Sequence, residues 1–155
     1  MQAEFQTVLN RWINQSAFDI QEAKRFSASD FREGIQWLVA NDHADLAQAL
    51  ADAGLALYPS SEDILAMASL LAMTREDWSL AVELLQDLMD VQQNNVQPTT
   101  CIMLARALAC KLDLAQAHAV LDLALKIWPF DDELLREKNA LVRAHEVMPS
   151  SEAQN

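Results

Sequence analysis

Histidine and cysteine side chains most readily act as nucleophiles, general bases or metal ligands, and their spacing here favours none of these roles. His43, His118 and His145 lie far apart in the sequence, and none has a cysteine or a pair of carboxylates at ligand spacing. Cys101 and Cys110 lie nine positions apart on one predicted helix, which at about 100° per residue places them on opposite sides. We therefore expect both to be buried free thiols.

The glycine content argues against phosphate chemistry as well. The chain contains only two glycines, so a glycine-rich phosphate loop cannot be built from them. No HExxH helix and no nucleophile turn occurs in the sequence. These absences predict a protein that is not an enzyme and that needs neither a cofactor nor a metal ion.

The charge of the chain narrows the class of partner. There are 23 acidic and 11 basic residues, which gives a formal net charge of -12. Ten of the acids lie between Asn41 and Asn95, where Arg75 is the single basic residue. A field of this sign repels phosphate backbones, so we expect a basic or neutral protein partner and no nucleic acid. The acids equally suit the simpler role of keeping an apolar scaffold soluble.

Two segments that are apolar on nearly every side give the strongest functional signal. Residues 64–73 read ILAMASLLAM, and residues 101–110 read CIMLARALAC. A helix on a protein surface normally keeps one polar face. Part of the apolar surface of these two helices is therefore expected to be covered by another polypeptide segment.

A repeated sequence pattern predicts the helices that carry these apolar segments. Ala47, Ala81 and Ala117 lie 34 and 36 residues apart, and each starts a stripe of small or apolar residues at spacings of four and three. Pro59 and Pro129 end the first and third copies. A fixed period of this length indicates paired helices that bury their apolar faces against neighbouring pairs.

This pattern resembles the tetratricopeptide repeat over about residues 28–147. The resemblance implies an all-α fold of stacked antiparallel helix hairpins, with about three repeats and a C-terminal capping helix. Residues 1–27 are expected to form an N-terminal helical extension. Residues 148–155 are polar and contain a proline, which is typical of a disordered tail.

Periodicity and capping residues predict eight helices. Asp30 and Ser60 are each followed three residues later by an acid, which is a signal for a helix start. The family usually has a glycine in the turn inside each hairpin, and this chain has other residues there, so we expect looser or differently shaped turns. The turn residues are Asp42, Glu76 and Leu112. The predicted helices cover about residues 2–15, 30–41, 44–57, 61–74, 77–92, 99–111, 113–128 and 131–147.

In this family the first helix of each pair lines a concave surface, and the register of the resemblance carries that surface over to this chain. It implies a methionine-rich partner-binding groove formed by Ala66, Met67, Leu70, Met73, Ile102, Met103, Arg106 and Ala109. Methionine is flexible and polarizable, so such a groove can accommodate differing apolar side chains. Only one groove residue is basic, which disfavours a clamp for a peptide carboxylate. We expect the ligand to be an apolar or amphipathic segment of a partner protein.

Two alternatives would also cover this surface. The N-terminal helix could fill the groove, or two copies of the chain could form a homodimer through it. Phe5, Leu9 and Trp12 lie at helical spacing on that first helix and are candidate interface residues.

Chain length, acidity and groove character also resemble the small acidic chaperones of bacterial type III secretion. These chaperones hold export substrates in the cytoplasm before secretion. The alternative is a structural adaptor that stays in a larger complex. The sequence shows no secretion signal and no apolar run of the roughly 18 residues that a membrane span needs, so we expect a cytoplasmic protein without a membrane span.

Overall fold

The computed structural model describes residues 1–147, in which helices are joined by short turns. The α-helices of this part are α1 (Ala3–Gln15), α2 (Ile20–Ala23), α3 (Ala28–Ala40), α4 (Ala44–Leu57), α5 (Glu62–Thr74), α6 (Trp78–Gln92), α7 (Pro98–Cys110), α8 (Leu114–Ile127) and α9 (Asp132–Val147). Helix α2 lies in the segment 14–28, whose mixed polarity suits either a short helix or a linker, and the other eight helices match their predicted bounds to within about two residues. The tail expected over residues 148–155 lies outside the described residues.

The chain divides into two compact units, Met1–Asp77 and a second unit that begins at Trp78. The predicted boundary between an extension and the repeats, at residue 28, remains a prediction. No helix within residues 1–147 is long and apolar enough to cross a membrane.

Helix α3 begins earlier than predicted because Ser27, and not Asp30, caps it. The Ser27 hydroxyl accepts a hydrogen bond from the backbone N–H of Asp30, and the Asp30 carboxylate accepts one from the backbone N–H of Ser27. This reciprocal pair satisfies two N–H groups that the helix leaves free, and is a capping box. At the start of α5 the capping residue is Ser61 and not Ser60, because the Ser61 hydroxyl accepts a hydrogen bond from the N–H of Ile64.

The turns that follow α3, α5 and α7 share one geometry. Asp42, Glu76 and Leu112 each adopt a left-handed backbone, with φ of 62°, 59° and 64°. The next residue in each turn donates its N–H to a carbonyl five positions back: His43 to Leu38, Asp77 to Ala72 and Asp113 to Leu108. This closure is the Schellman motif. The expectation of looser turns was wrong, because the motif forms here without glycine.

In the first unit, α1 packs on α3, α3 pairs with α4, and α5 packs against both α3 and α4. Aromatic rings fill its centre: Phe5 lies 4.4 Å from Phe26 and 6.2 Å from Phe31, centroid to centroid. Gly34 permits this close approach, since a Cβ at that position would lie 2.6 Å from a ring carbon of Phe5. The N-terminal helix and the first repeat therefore share one hydrophobic core.

In the second unit, α6 packs on α7, α7 pairs with α8, and α9 packs against both α7 and α8. In the link from α6 to α7 the proline comes later than in the other copies, at Pro98, the first residue of α7. Here the side-chain carbonyl of Gln92 accepts hydrogen bonds from the Thr100 hydroxyl and from the backbone N–H of Gln97. This buried amide ties the end of α6 to the start of α7.

Candidate functional site

Helix α5 carries the predicted groove residues of the first unit, Ala66, Met67, Leu70 and Met73. Leu70 is 42% exposed, and the other three are half-buried. Met67 packs against the core of the first unit, and its Sδ lies 3.9 Å from Nε2 of Gln36 on α3. Leu70 therefore offers more of its side chain to a partner than Met67 does.

Helix α7 carries the groove residues of the second unit, Ile102, Met103, Arg106 and Ala109. Arg106 is exposed and Met103 and Ala109 are half-buried, whereas Ile102 is buried and adds no accessible area. Arg106 Nε donates to Oε1 of Glu137 on α9 at 2.9 Å. This hydrogen bond raises the pKa of Arg106, with the negative charge of Glu137 adding to the effect. The guanidinium is thus already paired within the unit.

A small cavity of about 190 Å³ lies beside that ion pair, between α7 and α9. Alanines on the two helices leave the space open. The lining residues are Ala105, Arg106, Ala109, Leu121, Glu137, Ala140, Leu141 and Ala144. The volume is below the roughly 300–1,000 Å³ of clefts that hold drug-sized ligands, so it suits a single apolar side chain. The cavity brings together two of the predicted groove residues, Arg106 and Ala109.

The prediction that Phe5, Leu9 and Trp12 form an interface was wrong. All three are almost completely buried in the core of the first unit. Even the polar edge of Trp12 is paired, because its indole N–H donates to Glu22 at 3.0 Å. The apolar face of α1 is used up against α3, where Gly34 makes room for it. These residues are not available to a second chain.

A larger cleft, which no sequence pattern predicts, lies in the first unit between the end of α1 and the start of α4. Its volume is about 600 Å³. We call it the α1–α4 cleft, and it is lined by Trp12, Ile13, Ser16, Ala17, Phe18, Asp42, His43, Ala44, Asp45, Leu46 and Ala49. No short sequence motif indicates this cleft, because its two walls lie about thirty residues apart in the chain.

The two cysteines differ in environment. Both are free thiols, Cys101 buried and Cys110 exposed. Burial raises the pKa of the Cys101 thiol, which keeps it protonated and unreactive. The expectation of a buried thiol is correct for Cys101 and wrong for Cys110.

Two histidines that are distant in sequence meet between α8 and α9. The rings of His118 and His145 lie 5.7 Å apart, and Lys138 Nζ lies 2.9 Å from His118 Nδ1. An ammonium group can only donate, so Nδ1 must accept and the ring must be neutral. Burial lowers the pKa of His118, and the positive charge of Lys138 adds to this. Within residues 1–147, no group of three or more His, Cys, Asp or Glu residues is arranged to hold a metal ion.

No protein-family model matches the chain, and no curated protein matches it. Solved structures do match. YrrB, described as a TPR protein with an unusual peptide-binding site, superposes with a TM-score of 0.64 at 16% identity over 77% of this chain and 60% of that chain. MamA AMB-1 gives 0.66 at 17% identity, over 93% and 81% of the two chains. A Podosopora anserina putative kinesin light chain with nearly identical TPR-like repeats gives 0.64 at 18% identity, over 92% and 84%.

These likenesses concern the fold. The chain has the all-α architecture of antiparallel helix hairpins found in TPR proteins, as the sequence predicted. It spans 60% of the length of the YrrB structure.

Proposed function

We propose that this protein is a non-enzymatic module that holds an apolar or amphipathic segment of a partner protein. The cavity between α7 and α9 is the observation that carries the proposal. Its interior is apolar, and the Arg106–Glu137 ion pair stands at its rim. Binding sites of this kind accept one apolar anchor side chain, while polar groups around the anchor exclude water.

Exposed residues of α5 support the same proposal in the first unit. Leu70 and Met73 present apolar area that the first unit leaves uncovered, with Met67 partly exposed beside them. Of the eight predicted groove residues, seven remain proposed contacts, and buried Ile102 is left out. YrrB, which shares the fold, is described as having a peptide-binding site. A shared fold does not transfer a function, so this likeness only adds weight.

Selection from a library of displayed peptides tests the proposal. Peptides enriched by the wild-type protein should carry an apolar anchor residue. Ala140→Trp would fill the cavity and should weaken their binding by about tenfold or more, which corresponds to about 1.4 kcal/mol. The matched control is Ala119→Trp, at an exposed alanine of α8 that does not line the cavity. Equal binding by both variants would contradict the proposal.

A narrower form of the proposal concerns the partner. The protein would act in the cytoplasm as a chaperone of the type III secretion kind, on the grounds of chain size, acidity and apolar surface. The alternative is a structural adaptor. Co-expression with an insoluble protein encoded next to this one separates the two. A chaperone would make its substrate soluble and release it on export, whereas an adaptor would remain in the mature complex.

A second proposal is self-association through α9. Aligned on their first residues, α7 and α9 place Leu135 where α7 has Cys101, and Val142 where α7 has Leu108. The two α7 residues are buried, whereas Leu135 is 40% and Val142 is 38% exposed. Within residues 1–147, Leu135 and Val142 thus keep apolar area that is accessible to a partner.

The sequence of α9 favours a second copy of the chain as the cover. In an antiparallel pair of α9 helices centred between Lys138 and Asn139, Leu135 of one copy would face Val142 of the other. Apolar residues would thus meet apolar residues across the pair.

A further inference from the structure

We infer that the α1–α4 cleft is a second binding site, and that its ligand is a basic, partly apolar peptide segment. The inference does not rest on the function proposed above, because the cleft shares no residue with the cavity between α7 and α9. It rests on the size of the cleft, the apolar side chains that form about half of its surface, and the charges at its edge.

The cleft is large and its walls are held in place. Its volume of about 600 Å³ falls within the roughly 300–1,000 Å³ range of ligand-binding clefts. Ile13, Phe18 and Leu46 are half-buried and pack against the core of the first unit. The Phe18 ring also packs edge-on against Trp12, with centroids 4.9 Å apart. These contacts hold the apolar walls in place before any ligand arrives.

The apolar walls stay uncovered because the chain turns away at the end of α1. Ser16 adopts a left-handed backbone with φ of 49°, and its N–H closes the helix on the Ile13 carbonyl. The chain then leads to Phe18, whose ring returns to Trp12. Ser16, Ala17 and Phe18 thus line one side of the cleft, and the first turn of α4 lines the other.

The charges at the edge of the cleft determine which class of ligand it attracts. Asp42 and Asp45 are exposed at the cleft, and within residues 1–147 neither carboxylate pairs with a basic side chain. The start of α4 acts in the opposite sense, because a helix N-terminus resembles a positive charge of about half a unit. Two full negative charges exceed that half unit. The cleft therefore attracts cations and repels acidic or phosphorylated ligands.

A lysine or arginine side chain fits both features of the site. Its methylene stem can lie along apolar walls while its charged end reaches a carboxylate. A neighbouring apolar residue of the same peptide would occupy the remaining space between Phe18 and Leu46. The acidic character of this region of the chain suits the same class of ligand.

An NMR titration of the full chain tests the inference. The probe is the capped peptide acetyl-Lys-Leu-Phe-Lys-amide at millimolar concentration, and its charge-reversed counterpart has glutamate in place of each lysine. The lysine peptide should give saturable shifts at the amides of Ala44, Leu46 and Ala49 and at the Trp12 indole N–H. The glutamate peptide should give none there. Absence of shifts with the lysine peptide, or equal shifts with both peptides, would overturn the inference.

A pair of double variants separates a built site from general attraction to an acidic surface. Asp42→Asn with Asp45→Asn should weaken binding of the lysine peptide by about fivefold or more, because the opposite charges are lost. Asparagine tolerates the left-handed backbone at position 42, so the turn should persist. The control is Asp87→Asn with Asp90→Asn, two exposed acids of α6 at the same spacing. An equal loss in the control would overturn the inference.

Discussion

At the scale of single residues, the left-handed residues in the turns after α3, α5 and α7 show where this chain departs from its best local stability. A left-handed backbone costs a residue with a side chain about 1–2 kcal/mol, and glycine avoids most of that cost. Leu112 is the clearest case, because its side chain is 72% exposed and contributes little burial in return. The turn is closed by backbone hydrogen bonds, which glycine would keep.

We predict that Leu112→Gly raises the free energy of unfolding by about 0.5–1 kcal/mol, since relief of strain exceeds the extra entropy of glycine in the unfolded chain. Urea unfolding followed by circular dichroism measures this. The matched control is Lys111→Gly at the preceding position, where φ is -79° and no strain is relieved. That variant should be destabilised, and a gain there as large as at position 112 would contradict the explanation.

The residues also show why parts of the candidate site could not be predicted. The segments 64–73 and 101–110 are apolar on almost every side, so they give no periodic signal to distinguish the face that meets the core from the face that meets solvent. For this reason the sequence predicts that both Ile102 and its neighbour Met103 face a partner, although Ile102 is buried. The burial of Trp12 was not predictable for another reason. Nothing near Trp12 in the sequence indicates that Gly34, on α3, lets α1 pack closely.

At the scale of the elements, helix boundaries were predictable to within about two residues because prolines and apolar periodicity act locally, although the caps of α3 and α5 are serines other than the predicted residues. The shape of the turns was not, because a Schellman motif is fixed by backbone hydrogen bonds and different residues can occupy it at a cost. The starts of α4, in the first repeat, and of α8, in the third, show that different residues can occupy the same position. Asp113 caps α8 by accepting from the N–H of Gln116, whereas His43 at the same place gives α4 no side-chain cap.

We predict that His43→Asp stabilises the first unit by about 0.5–1 kcal/mol. The backbone is already suitable, since His43 has φ -102° and ψ 55° and Asp113 has φ -93° and ψ 68°. The new carboxylate would accept from the first turn of α4, and loss of the ring contact with Trp37 would offset part of the gain. The reciprocal change, Asp113→His, should cost a similar amount. Chemical denaturation of both variants measures the pair, and effects of the same sign would refute the capping argument.

The contact between α8 and α9 should be sensitive to pH. Because the pKa of His118 is lowered in the folded protein, the unfolded chain binds more protons just below pH 6.5. Stability is therefore present above this pH and is lost as the pH falls through the window between 6.5 and the folded pKa. Burial is the larger cause and the positive charge of Lys138 the second.

We predict that Lys138→Met raises the pKa of His118 without restoring its ordinary value, because burial remains. NMR titration of the ring protons measures the pKa, and denaturation at several pH values should show a shallower loss of stability below pH 6.5. Arg143→Met, an exposed change on the same helix, is the control and should leave the His118 titration unchanged. If the pKa of His118 is unchanged in Lys138→Met, the Lys138 ammonium does not contribute to lowering it.

At the scale of the whole molecule, the α1–α4 cleft and the stripe on α9 both depend on what the described chain leaves uncovered. Neither was predictable from sequence periodicity, which reports the apolar residues of a helix and not the neighbours that cover them. Leu135 and Val142 look like ordinary core positions in the sequence, because they repeat the spacing that is buried in α7. Their exposure becomes visible only once the packing of α9 is known.

We predict that the protein self-associates through this stripe, and that Leu135→Glu makes it monomeric. Two such changes in an antiparallel pair would bring a carboxylate against Val142 of the other copy, where it would lose water without gaining a partner. Analytical ultracentrifugation over a range of concentrations measures the assembly state. Leu123→Glu, at an exposed leucine of α8, is the control and should leave self-association intact. Deletion of residues 148–155 tests the alternative that the C-terminal residues, and not a second copy, cover the stripe. If the full chain is monomeric and only the shortened chain dimerises, then the C-terminal residues cover the stripe and the self-association proposal is wrong.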